Sequence, residues 1–184
     1  MINQQTKLIG LSGKKQAGKS TVADLIESKD ESFCRMSFAD PVKRQVTTLL
    51  RSFGLSKERI GYYSTTAKEE IIPEIGQSFR YLCQTIGTDW GRNLVCDDIW
   101  LRIAKIEMES NVFFSNFVFD DVRFRNEVEL IQSLDGKVYW IQRKATSDDN
   151  HESENSLQPS DCDGIILNTG SKEDLEQQLL EILK

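Results

Sequence analysis

The chain has 184 residues, of which 39% are hydrophobic and 28% charged, ordinary globular usage that excludes a fibrous repeat or a disordered tail. Its 23 Lys and Arg against 29 Asp and Glu give a net charge of −6, and the resulting pI near 5.0 argues against a nucleic-acid polymer as partner, since such binders present a basic surface. No run approaches the roughly 18 apolar residues of a membrane helix, and Met1 to Thr6 lack the basic-then-apolar order of a signal peptide. A cytoplasmic protein with no membrane attachment is expected, folded as a single domain at roughly 150 residues per domain. The four cysteines, Cys34, Cys83, Cys96 and Cys162, form no C-x-x-C pair and have one histidine, His151, beside them, so reduced thiols are expected rather than a zinc site.

In chain order, Lys7 to Leu11 reads as a strand and about Lys19 to Ser28 as a helix; Phe33 to Phe38 is the next strand. Asp40 then opens a helix, because Asp caps free amides and Pro41 presets the first helical position. Phe79, Leu82, Cys83 and Ile86 fall on one helical face between Ser78 and Ile86, and Gly87 is expected to end that helix. A further helix follows Asp98, with Ile99, Ile103 and either Ile106 or Met108 turned inward. Val112 to Phe119 is almost continuously apolar, as a central strand covered on both faces should be. Asn126 to Leu134 (helix), Lys137 to Gln142 and Gly164 to Leu167 (strands) follow. Residues 145–163 are polar and read as a mobile loop. Ser171 and Asp174 form a capping pattern for a closing helix. The alternation predicts an α/β domain with a mainly parallel sheet of about five strands flanked by helices, with ligands at the carboxyl ends of the strands.

The sharpest signal is Gly13-Lys14-Lys15-Gln16-Ala17-Gly18-Lys19-Ser20, which satisfies G-x-x-x-x-G-K-[ST] between a strand and a helix and predicts a P-loop NTPase fold. The glycines let backbone amides turn toward phosphate oxygens, Lys19 bridges the terminal phosphates, Ser20 offers its hydroxyl to Mg²⁺, and Thr21 follows in the first helical turn, where the helix dipole favours anions. The metal also needs an acid at the end of a buried strand, and Asp120 or Asp121 supplies it; the alternative is that both only cap the next helix. A GTPase is not expected: Ser171-Lys172-Glu173-Asp174 lacks the Asn of N-K-x-D, and Asp161-Cys162-Asp163-Gly164 falls too late for D-x-x-G. Arginines instead gather around the motifs: Arg80 and Arg92 flank Gly87-Thr88-Asp89-Trp90-Gly91, and Arg123 and Arg125 follow the acidic pair. Such clusters suit a small-molecule kinase that neutralises phosphates on donor and acceptor together.

The strings GLSGKKQAGKST, FADPVK, RYLCQTIGTDWGR, FDDVRFRNE, HESE and LNTGS occur in the order seen in phage-type deoxynucleoside monophosphate kinases, and the chain resembles that family from about residue 7 to residue 180. The resemblance implies a nucleoside monophosphate kinase-like fold, ATP and a deoxynucleoside monophosphate as substrates, Mg²⁺ as cofactor, and work in the host cytoplasm; it leaves a homodimer open. It implies that Lys19, Asp121 and Arg123 are catalytic, with Ser20 and Asp121 on the metal. It assigns Gly13 to Thr21, Arg143, Asn168 and Gly170 to ATP, although a turn leading into the last helix also explains Asn168 and Gly170. An acceptor-binding helical segment is expected at about 40–110, using Asp40, Lys43, Arg80, Trp90 and Arg92 with Arg123. Trp90 either stacks on the base or belongs to the core. A lid-like loop at about 144–162 carries His151, Glu152 and Glu154 of the H-x-S-E motif; His151 and Glu154 are assigned to the acceptor. This loop is acidic where adenylate-kinase-like lids are rich in arginine, leaving open which arginine reaches the transferred phosphoryl. The competing readings are a kinase of another small metabolite, similar to phosphomevalonate kinases, and a nucleotide-switched binding module.

Overall fold

The computed structural model describes residues 6–143 and 157–183. His151, Glu152, Glu154 and most of the expected lid-like loop lie outside the described residues. The described chain divides into two compact units, one within Met1–Ser37 and Ile106–Lys184 and the other Phe38–Lys105.

The first unit holds a five-stranded parallel sheet, the form expected when strands alternate with helices. Its order is β2 (Phe33–Met36), β5 (Asn116–Phe119), β1 (Leu8–Ser12), β6 (Lys137–Gln142) and β7 (Gly164–Leu167). Neighbours are in parallel register, with Gly10 opposite Phe119 on one side of β1 and Ser12 opposite Trp140 on the other. β1 and β5 are buried along their whole length, consistent with interior strands covered on both faces. Ile9, Leu11, Val118, Ile141 and Ile166 of the sheet share one core with Val22, Leu25 and Ile26 of α1 (Lys19–Lys29) and Leu175 and Leu179 of α7 (Lys172–Ile182). α6 (Arg125–Ser133) packs against β1 and β6. Ser171 caps α7 through Asp174 N–H while the Asp174 carboxylate accepts from Ser171 N–H, the reciprocal pattern expected from the sequence. All these parallel strands therefore direct their carboxyl ends to one edge of the sheet.

The second unit contains α2 (Asp40–Ser52), α3 (Lys57–Thr65), a two-stranded antiparallel hairpin of β3 (Ile71–Ile72) and β4 (Gln77–Ser78), α4 (Phe79–Gln84), a π-helix (Thr85–Val95) and the start of α5 (Ile99–Ser110). Its core is Val46, Leu50, Leu55, Ile60, Ile72, Phe79 and Leu82.

Three local expectations are corrected, and the choice between Ile106 and Met108 is decided for Met108. Asp40 does not cap α2: Ala39 holds the cap position, and the Asp40 carboxylate pairs with Lys43 Nζ at 2.8 Å. Gly87 does not end the helix begun at Phe79; the turns widen instead, so that Cys96 N–H reaches Gly91 O five residues back, the reach of a π-helix. Trp100 explains the continuation: its indole Nε1 donates to Gly87 O at 2.7 Å, and a Cβ on Gly91 would fall 2.6 Å from the Trp100 ring. On α5, Trp100, Leu101, Ala104 and Met108 are buried, whereas Ile106 is exposed. Finally, the strand expected from Val112 starts only at Asn116, because the Asn111 side chain accepts from the N–H groups of Phe113 and Phe114 and turns the chain; Val112 and Phe113 are exposed.

Candidate active site

The candidate site lies at the carboxyl edge of the sheet, and each strand supplies a part. From β1 the chain turns through Gly13 (φ 137°), Gln16 (φ 62°) and Gly18 (φ 99°) before α1. These left-handed angles favour glycine at two of the three positions, the two that the motif requires. The loop's carbonyls are held by the protein's own donors. Lys19 Nζ donates to Gly13 O at 2.5 Å and Lys14 O at 3.0 Å. Ala17 N–H donates to Lys14 O, and Val22 N–H to Gly18 O. From the end of β6, Arg143 Nη1 reaches Gln16 O at 3.4 Å; from the end of β7, Asn168 Nδ2 donates to Ala17 O at 2.8 Å. Ser20 and Thr21 are exposed in the first turn of α1, and Lys14 and Lys15 are exposed in the loop. Gly170 lies in the turn before α7, beside the Asp174 carboxylate.

The acidic pair follows β5, next to β1: Asp120 N–H bonds to Met36 O and Val122 N–H to Leu11 O, so both neighbouring strands pin this turn. The two carboxylates have different partners. Asp120 is held by Arg35, through Nε at 2.8 Å and through Nη2, while Arg35 Nη1 also pairs with Asp24 at 2.6 Å. Burial works against the Arg35 charge, but the bonds and charge of Asp120, with Asp24 and Glu27 nearby, leave its pKa raised. Asp121 instead accepts from the buried hydroxyl of Ser37 at 2.5 Å. Arg123 stands in the next turn, whose backbone is fixed by the buried Glu127 carboxylate, the acceptor for Arg123 N–H at 2.7 Å and Phe124 N–H at 3.1 Å. Ser20 and Asp121 offer oxygen donors, the chemistry that Mg²⁺ takes from proteins, usually through one or two carboxylates beside substrate phosphates.

In the second unit, Asp40 pairs with Lys43, Arg80 pairs with Glu69, and Arg92 Nη1 donates to Asp97 O at 3.2 Å. Lys43, Arg80 and Lys68 all act electrostatically on Cys83, so three cations gather near one thiol. Burial dominates there and pushes Cys83 up to about 11. Trp90 is half exposed on the π-helix, and Trp100 is the buried tryptophan of this segment; the core alternative for Trp90 is thereby removed. The cluster Cys96, Asp97 and Asp98 is internally engaged, with Asp98 accepting from the Cys96 thiol and Arg102.

Ser37, Arg35 and Lys68 were not among the sequence-based candidates. A lone serine just past a strand matches no motif, and Arg35 reads from sequence as one more strand residue. Only the pairing of β2 beside β5 brings the first two to the acidic pair.

Residues 48–179 match the family model described as deoxynucleotide monophosphate kinase. The chain is 24% identical over 169 residues to the deoxynucleotide monophosphate kinase of Enterobacteria phage T4, covering 89% of this chain and 68% of that protein. It is 30% identical over 110 residues to the protein of the same name from Escherichia phage RB69, covering 58% of this chain and 45% of that one. Among solved structures, TT1252 from Thermus thermophilus superposes with a TM-score of 0.55 at 18% identity, over 97% of this chain and 96% of that one, a likeness of fold.

Proposed function

This chain belongs to the deoxynucleotide monophosphate kinase family, and on that premise we propose that it transfers the γ-phosphoryl group of ATP to the 5′-phosphate of a deoxynucleoside monophosphate, giving the diphosphate and ADP. The observation that carries this reading is the phosphate loop of β1 lying beside the end of β5, where Arg35 takes Asp120 and Ser37 orients Asp121.

The nucleophile is a phosphate oxygen, already anionic at neutral pH, so the protein needs no general base. Its task is positioning and charge stabilisation. The loop from Gly13 to Thr21 receives the triphosphate, and Lys19 moves its ammonium from loop carbonyls to the terminal phosphates. Ser20 and Asp121 would hold Mg²⁺, which would supply neutralisation of phosphate charge when bound. Arg123 meets the transferred group. Arg143 and Asn168 serve the donor side through the loop they bond, with Gly170 in the turn behind. Residues of the second unit, Asp40, Lys43, Arg80, Trp90 and Arg92, take the acceptor: the cations its phosphate, and the exposed Trp90 ring its base. His151 and Glu154 belong to the same acceptor assignment, and residues 144–162 to a closing lid that excludes water. The expected setting is the host cytoplasm.

The test is ADP formation with ATP and Mg²⁺ against dAMP, dCMP, dGMP, dTMP, their ribose counterparts and phosphomevalonate. Rapid acceptor-dependent turnover with one or more deoxynucleotides is expected. Turnover confined to phosphomevalonate would replace the acceptor class, and slow release indifferent to every acceptor would replace the kinase with a nucleotide-switched module.

A further inference from the structure

A phosphate-binding loop must present donors to its ligand, and each loop carbonyl that turns inward sets an acceptor against an anion. What keeps the carbonyls away is therefore part of the binding apparatus. In this chain, the carbonyl two residues before α1, Ala17 O, is held by the side chain of Asn168 at 2.8 Å. Asn168 is itself fixed, because its backbone N–H donates to Gln142 O at 2.8 Å, tying the ends of β6 and β7 together. The fit is close: a Cβ on Gly18 would lie 2.2 Å from Asn168 Nδ2. Gly18 is thus demanded twice, by its left-handed φ of 99° and by the amide seated on it. One residue beyond β6, Arg143 holds the preceding carbonyl, Gln16 O.

We propose that Asn168 is a positioning residue that sets the curvature of the phosphate loop by holding the Ala17 carbonyl outward, and that its contribution is to the polyphosphate rather than to the adenine base. This rests on the reading of residues 13–21 as the ATP loop. Nδ2 has its hydrogen-bond acceptor on the loop, and Ala17 lies directly before the loop's Gly18-Lys19-Ser20. Losing the amide frees the Ala17 peptide to rotate its carbonyl toward the phosphates. Arg143, the second outside donor, keeps that rotation local to one peptide.

The experiment compares the full-length chain with Asn168→Ala and Asn168→Asp, reading the Kd for ATP and for inorganic tripolyphosphate, a probe with no base, in Mg²⁺ by calorimetry. Thermal melts and KM values for ATP and the acceptor accompany it. In Asn168→Ala both ligands are expected to weaken by the same factor, about three- to tenfold for one hydrogen bond, with the acceptor KM unchanged and the melting temperature lowered by only a few degrees. Asn168→Asp keeps the shape but sets a carboxylate oxygen against Ala17 O, and is expected to be weaker still for both. Weakening of ATP with tripolyphosphate untouched would overturn the proposal in favour of a base contact, and unchanged affinities would overturn it outright. If Asn168→Ala does not fold, the near-isosteric and uncharged Asn168→Leu carries the same comparison. Failure of the unmodified chain to bind either ligand would instead refute the phosphate-loop reading itself, and this proposal with it.

Discussion

Ser37 and Asp121, 84 positions apart, meet through a 2.5 Å hydrogen bond in which the buried serine hydroxyl donates to the carboxylate. One residue earlier, Asp120 is neutralised by Arg35. Two adjacent carboxylates of identical chemistry are thereby given different partners by β2 and the residue that follows it: a guanidinium for Asp120 and a hydroxyl for Asp121.

Ser37→Ala removes that hydroxyl without removing the carboxylate. The Mg²⁺ concentration for half-maximal rate is expected to rise by about 10- to 100-fold, as for other groups that orient a metal ligand, with the fold retained. A Mg²⁺ titration of ADP release checks it, and an unchanged midpoint would detach Ser37 from the metal.

Lys19→Ala should reduce kcat by at least about 100-fold, the scale of losing one preorganised charge at a developing anion. Lys19 bonds to loop carbonyls at Gly13 and Lys14, and the sheet core is built from other residues, so the melting temperature should stay close to that of the parent. Steady-state kinetics beside a melt decides it.

Arg92→Ala tests the second unit. The guanidinium bonds to the Asp97 carbonyl, and its removal should raise the acceptor KM by about tenfold, a typical worth for one charge-assisted hydrogen bond, while the KM for ATP holds. Equal changes in both constants would speak against an acceptor role.

Gly91→Ala probes the π-helix. The added methyl would sit 2.6 Å from Trp100 and 2.8 Å from Ile86 O. Overpacking of this kind destabilises by about 1–3 kcal/mol, measurable as a lower urea midpoint.

Cys83 and Cys162 are both pushed from an ordinary 9.0 up to about 11, chiefly by burial. Between those values the unfolded chain releases thiol protons that the folded chain keeps, so stability falls as pH rises through the window and is unaffected by these groups below it. Replacing both cysteines with alanine should flatten that part of the fall, as read from urea midpoints at either end of the window.

The sheet was legible in the sequence because its strands are short apolar runs set between helices, and the phosphate loop because its chemistry fixes residue types at fixed spacing. The hairpin of Ile71–Ile72 with Gln77–Ser78 is too short to carry a period, and α3, with Ile60 its one buried residue, has no apolar stripe to detect. Gly87 reads as a stop because glycine weakens helices, yet Gly87 and Gly91 both lie inside the π-helix. Here they admit Trp100, a tertiary cause invisible to local reading. Val112 and Phe113 were counted into a strand on hydrophobicity, and the Asn111 turn overrides it. Within the site, Lys19 and Asp121 announce themselves by motif, whereas Ser37 acquires meaning only once β2 is paired beside β5.

The hydrogen bond from Asn168 to Ala17 joins positions 151 residues apart, and that separation has a consequence for the order of assembly. A ribosome finishes β1, the loop and α1 early, and supplies Asn168 only after β7 has been made. A nascent chain halted short of β7 already possesses the glycines and the lysine, but not the amide that holds the Ala17 carbonyl. Closing so distant a contact is slow compared with forming a local turn, so the bond to Ala17 O is expected to form after the loop's own local turns. The full set of bonds on the loop carbonyls then exists only once the sheet is complete.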